Sequence, residues 1–192
     1  MEYGLGVADS APYCADANTA MKNGWYNIDA ATANGIGSGC IMRVDAWKDT
    51  WSVVQTAYTT NESSLYHTIR QRWYWQNKGW TEWEYVTPPM ILGVEYRTTE
   101  RWQGKAVYCK LVSLGTLPDS ATSEKDIVFF AGPMAELVSV DVSTYAGSTW
   151  RTEDTRWSKY VYKDSAGAHI VIKATENVSG YSGFATFKYT KN

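Results

Sequence analysis

The stretch IRQRWYWQNKGWTEWEY, residues 69–85, decides the fold class. Around the polar centre QNKG, Arg70 and Arg72 share one parity and Ile69 and Trp73 the other, as Glu82 and Glu84 do against Trp83 and Tyr85. That is the pattern of two extended strands joined by a turn; a helix would repeat its apolar positions every three or four residues. A turn about Asn77 sets Tyr74 opposite Trp80, Arg72 opposite Glu82 and Arg70 opposite Glu84. Ile69, Trp73, Trp83 and Tyr85 then share the reverse face. A slip of one residue would carry that aromatic set into water.

The same test extends outward. A turn at Lys48–Asp49 opposes Val44 to Val53 and Ala46 to Trp51. A turn through Arg101–Gly104 opposes Glu100 to Lys105 and Glu95 to Lys110, leaving Val94, Tyr96, Cys109 and Leu111 on the other face. Further period-two runs bounded by Gly, Asn, Asp and Ser lie near 24–30, 127–131, 135–145, 158–163, 168–176 and 181–190. No stretch carries the apolar stripe of an amphipathic helix, so the chain is read as all-β. Pro88–Pro89 cannot sit within a central strand and marks a boundary. The expected organisation is an antiparallel β domain over 1–87, a linker hairpin over 88–118 and a β-sandwich-like domain over 119–192.

Composition narrows the function. The 192 residues carry a net charge of −2, and neither side of Pro88 has the basic excess that nucleic acid or an anionic membrane would demand. No apolar run approaches a membrane span. The opening MEYGLGVADSAPY lacks the charged and apolar regions of a secretory leader, and its abruptness reads as the start of a segment from a longer chain. Cys14, Cys40 and Cys109, odd in number and widely spaced, read as free thiols and not as a disulfide framework. The anomaly is aromatic: 10 Trp and 14 Tyr stand against 4 Phe, so most rings carry the polar handle used at wet interfaces as well as in cores.

Catalytic motifs are sparse. GIGSG at 35–39 lacks the spacing of a dinucleotide fingerprint and reads as a turn. His67 and His169 belong to no metal-ligand spacing, so neither a metal nor a cofactor is expected; His67 is read as partly buried beside Ile69 and Trp73. Glu82 and Glu84, two apart on one strand, would share a face and pair with Arg72 and Arg70, which suits a charge ladder better than a general acid. Binding suits these residues better. Tyr74 and Trp80 can cover the C–H face of a sugar while Arg72, Glu82 and Asn77 take its hydroxyls. Trp102 at its hairpin tip, near Tyr96, and the pair Trp150 and Trp157 around RTEDTR form a second candidate patch or an interface.

Residues 18–87 carry an ordered set of features: Asn18 and Thr19, then Gly24-Trp25-Tyr26, the glycine-rich turn, Val44, Gln55, Arg70, and Trp80 with Trp83. This order resembles the knob domain of pyocin and bacteriophage tail fibres, and YGLG at 3–6 is similar to the segment that precedes such knobs on fibre shafts. PPMILGVEYRTTERWQGKAVYCKLVSLGTLP at 88–118 resembles the linker hairpin of distal tail proteins. The resemblance implies a receptor-binding tip that attaches to bacterial surface polysaccharide or wall glycan. It also implies a homotrimer partnered by other fibre or baseplate subunits, and a place in the virion tail after assembly in the host cytoplasm. It transfers no catalytic residue. Two alternatives stand beside it: a capsule- or wall-degrading hydrolase using carboxylates such as Glu82 or Asp141, and a structural module that trimerises or anchors the fibre.

Overall fold

A computed structural model describes residues 11–48, 50–60, 67–120, 123–130, 134–151 and 156–192. YGLG, Asp49 and the centre of RTEDTR lie outside the described residues. Among the described residues the chain is all-β apart from one 3-10 turn at Ala17–Thr19, and it divides after Pro89 into two compact units.

The first unit holds β1 (Gly24–Ile28), β2 (Cys40–Trp47), β3 (Ser52–Thr59), β4 (Ile69–Trp75), β5 (Gly79–Trp80) and β6 (Glu84–Tyr85). They form an antiparallel sheet in the order β1-β2-β3-β4-β6, with β5 on the end of β4. Alternation along β2 and β3 sends Met42, Val44, Val53 and Ala57 to one face. There they meet Cys14, Ala17, Ala20 and Ile36 from the loops that cover it. Burying each Met or Val side chain contributes ~1.5–3 kcal/mol, which is why the sheet keeps this face inward.

The second unit has two sheets. β7 (Glu95–Trp102), β8 (Lys105–Thr116), β10 (Met134–Ala146), β11 (Thr149–Arg151) and β14 (Ser182–Lys191) run in the order β7-β8-β14-β10-β11; β9 (Glu124–Phe130), β12 (Trp157–Lys163) and β13 (Ala168–Ala174) make a smaller sheet with β13 central. Between them lies a core of Leu114, Phe129, Val142, Trp157, Ile170, Ile172, Phe187 and Tyr189. Phe129 and Phe187 stack with centroids 3.6 Å apart and join the two sheets. The hairpin expected over 88–118 is formed by β7 and β8 and is integral to the larger sheet, because β8 pairs along its length with β14.

Three expected registers are corrected. In the first hairpin Val44 faces Gln55 and Ala46 faces Val53, two residues from expectation. The connection from Lys48 to Trp51 is longer than a two-residue turn, with φ 45° at Lys48 and 77° at Thr50, and it takes Trp51 out of the ladder. Around Asn77, Tyr74 faces Trp80 as expected, but Arg70 faces Tyr85 and Gln71 faces Glu84. Thr81 causes this shift: its hydroxyl accepts the Trp73 N–H at 3.0 Å, and its own N–H reaches the Trp73 carbonyl at 2.8 Å. Glu82 is therefore exposed while Glu84 is fully buried, and the two do not form one charged face. In the third hairpin Glu95 faces Lys110 and Tyr96 faces Cys109, but a bulge between Arg97 and Arg101 brings Trp102 opposite Lys105 across a Gln103–Gly104 turn. Glu100 instead accepts the Lys188 ammonium at 2.6 Å. Val94 lies outside the strand and is exposed, and His67 is exposed ahead of β4. The three cysteines are free and buried.

Candidate functional site

The residues expected to bind through Tyr74 and Trp80 come together, but as the edge of a core. Tyr74 and Trp80 lie 5.3 Å apart and pack against the first unit's interior. Arg72 is buried, its guanidinium 4.2 Å from the Trp80 ring and 4.6 Å from the Trp83 ring. Its Nε donates to Gln55 Oε1 at 2.8 Å, and Gln55 Nε2 donates to the carbonyls of Ala17 at 2.7 Å and Ala20 at 2.9 Å. Burial pulls the Arg72 guanidinium down to about 10. Gln55, Trp80 and Trp83 of the tail-fibre-like order thus belong to one structural device that ties the Ala17–Ala20 loop to the sheet. Trp83 Nε1 extends it by donating to the Asn34 carbonyl at 3.0 Å.

Of the other expected residues, Tyr96 is 4% and Trp157 8% exposed, so neither offers a ring face to a ligand. Their alternation parity sends both inward on their strands. Trp102 is exposed at the end of β7, its Nε1 donating to Glu136 at 2.9 Å. Trp150 is exposed on β11 and packs on Tyr145 at 4.8 Å. Asn77 is exposed in the turn after β4.

That turn borders an open aromatic cluster of the first unit. Trp47, Trp51 and Trp75 are 56%, 60% and 40% exposed. Trp47 is opposite Ser52, and Ser52 is opposite Trp75, so two indoles flank a serine on one row of the sheet's outer face. Trp51 stands beside them in the connection between β2 and β3, whose carbonyl accepts the Gln76 N–H at 3.1 Å and so couples the two adjoining turns. The Lys48 ammonium sits 4.5 Å from the centre of the Trp47 ring. Gln76, Asn77 and Lys78 are exposed alongside. Flat apolar faces edged by hydroxyl, amide and ammonium groups can stack on a pyranose ring and bond its hydroxyls.

Sequence reasoning missed this cluster because it placed Trp51 opposite Ala46 on an apolar face. The usable signal was parity: with Met42, Val44 and Ala46 inward, Trp47 must face outward.

Among the described residues no group of three His, Cys, Asp or Glu side chains is arranged to hold a metal ion. No family model matches the sequence, and no curated protein does. Solved structures similar to the chain include an N-truncated R2-type pyocin tail fibre, at 11% identity and a TM-score of 0.33, covering 95% of this chain and 99% of that one. A Pseudomonas aeruginosa R2 pyocin fibre matches at 12% identity and 0.34, over 97% of this chain and 69% of its own. An R1 pyocin fibre of the same organism matches at 12% and 0.33, over 95% and 67%.

Proposed function

We propose that this chain is a receptor-binding module of a tail fibre, attaching to bacterial surface saccharide through Trp47, Trp51 and Trp75 and performing no catalysis. The observation that carries the reading is the exposure of three indoles at adjoining turns of one sheet. Leaving such rings in water forgoes their burial energy, so a surface that clusters them is built to cover something. The ordered tail-fibre-like features of residues 18–87 agree with it, since Gln55, Trp80 and Trp83 among them tie the covering loops to the sheet. A shallow site of this kind binds weakly alone. In a homotrimeric fibre, repeated sites would raise the effective affinity by orders of magnitude without a new contact.

The test is an array of purified bacterial polysaccharides probed with the wild-type chain and with Trp47→Ala, Trp51→Ala and Trp75→Ala. Each variant is expected to lose tenfold or more of its affinity, about 1.4 kcal/mol for one stacked ring, while thermal unfolding is unchanged. Retention of full binding by all three would overturn the proposal, as would release of reducing sugar from a bound polymer.

A further inference from the structure

The second unit carries an aromatic surface of opposite chemistry on the outer face of its smaller sheet. Tyr160 and Tyr162, at alternate positions of edge strand β12, lean across central strand β13 toward carboxylates on β9. The Tyr162 hydroxyl donates to Asp126 and the Tyr160 hydroxyl to Glu124 at 3.4 Å. The two rings lie 6.3 Å apart and remain 47% and 36% exposed. Beneath them His169 is clamped, Nδ1 at 2.9 Å from Asp126 and Nε2 at 3.0 Å from Asp164, with its ring stacked under Tyr162 at 4.5 Å. The rings are therefore held in place before any ligand arrives, which lowers the entropy cost of binding.

Charge tells what this strip would take. Glu124 is matched by Lys173 at 3.1 Å, whereas one imidazole, which can carry at most a single positive charge, serves both Asp126 and Asp164. At least one negative charge is left over, on carboxylates whose side chains are each 45% exposed beside a tyrosine face. A cation placed there gains both the residual carboxylate and the ring quadrupole. We infer that the Tyr160–Tyr162 strip is a second binding site, for a saccharide bearing a free amine: its ring stacks on the phenols and its ammonium sits toward Asp126 and Asp164. The site shares no residue with the tryptophan tip, so either can fail alone.

The probe is a β-linked glucosamine tetramer, titrated into the full chain by calorimetry beside its fully N-acetylated counterpart and beside spermidine. The free-amine tetramer is expected to bind saturably, to weaken with added salt, and to exceed the acetylated tetramer and spermidine by about tenfold. Tyr160→Ala and Asp164→Asn should each remove most of that binding, while a Trp47→Ala/Trp75→Ala double variant leaves it intact. Asn at 164 can still accept the Ala166 and Gly167 N–H bonds that now reach Asp164, so circular dichroism should show an unaltered fold. Equal binding of the acetylated tetramer, equal binding of spermidine, indifference to both substitutions, or no saturable binding would each overturn the inference.

Discussion

Gln55 is fully buried in the middle of β3, and every polar atom of its amide is used. A primary amide is what the position requires: two N–H donors for two loop carbonyls and one oxygen for a guanidinium. A leucine of similar volume would strand the Ala20 carbonyl and the Arg72 Nε, and would leave the Ala17 carbonyl only the Ala20 N–H at 3.3 Å. Each stranded group costs ~1–3 kcal/mol, more where a charge is involved. Gln55→Leu is therefore expected to lower the first unit's stability by roughly 3 kcal/mol, about 1 for the stranded carbonyl and about 2 for the charged guanidinium. Gln55→Glu should recover only part of this, because a carboxylate pairs with Arg72 but cannot donate. Urea denaturation of the two variants decides the matter: equal stability would mean that the charge, not the donors, matters. The sequence marked Gln55 as one of an ordered set, but not why it was there. A glutamine in a strand looks like a surface residue until the loop that covers it is placed.

At the level of the element, β13 shows how a central strand carries a titratable group. Five of its seven residues are hydrophobic, and it is hydrogen-bonded on both sides, to β9 and β12. His169 is admitted only because both ring nitrogens meet carboxylates. The hydrogen bond to Asp126, opposed by burial and helped by Asp164, holds its pKa above the ordinary value. Asp126 is held low, first by the Tyr162 hydroxyl and then by His169; Asp164 is held low first by the Ala166 N–H. His169 thus contributes fully below the unfolded imidazole value of about 6.5, and the contribution is lost as pH rises through its raised folded value. The two aspartates contribute above the ordinary carboxylate range, and theirs is lost as pH falls through the depressed values. Stability of this sheet should peak between those limits. In His169→Gln the decline on the alkaline side should flatten while the acid side keeps its slope from the aspartates' remaining partners; melting curves across pH measure both. An unaltered alkaline slope would show that folding does not raise the pKa of His169. The sequence made the strands legible here through β-branched alternation, but ladders interrupted by side chains were not. Thr81 substitutes its hydroxyl for a strand carbonyl, and the β7 bulge shifts Trp102 by two positions, events that no period-two pattern records.

Across the whole chain, the ten tryptophans divide by role. Trp157 is sealed in a core, and Trp25, Trp73, Trp80 and Trp83 are half-buried; Trp47, Trp51, Trp75, Trp102 and Trp150 are exposed. The surplus of indoles was plain in the composition, but their sorting was not, because it depends on register and on which loops return over each sheet. Trp80, a candidate chosen for its pairing with Tyr74, went to packing for that same reason: rings that find partners along the strand also find them in the core. The exposed five permit a direct test of the saccharide reading. A neutral quencher such as acrylamide reaches exposed indoles far more readily than buried ones, so the emission should separate into an accessible and a protected fraction. A polysaccharide that stacks on the tip must shield Trp47, Trp51 and Trp75 while leaving Trp102 and Trp150 open. Its addition should reduce the accessible fraction in the wild-type chain and in Trp102→Phe and Trp150→Phe, but have no effect once the three tip residues are replaced by phenylalanine. Shielding that persists in the triple variant would move the contact to another surface. Shielding abolished by Trp150→Phe alone would place it on β11, where Trp150 lies against Tyr145.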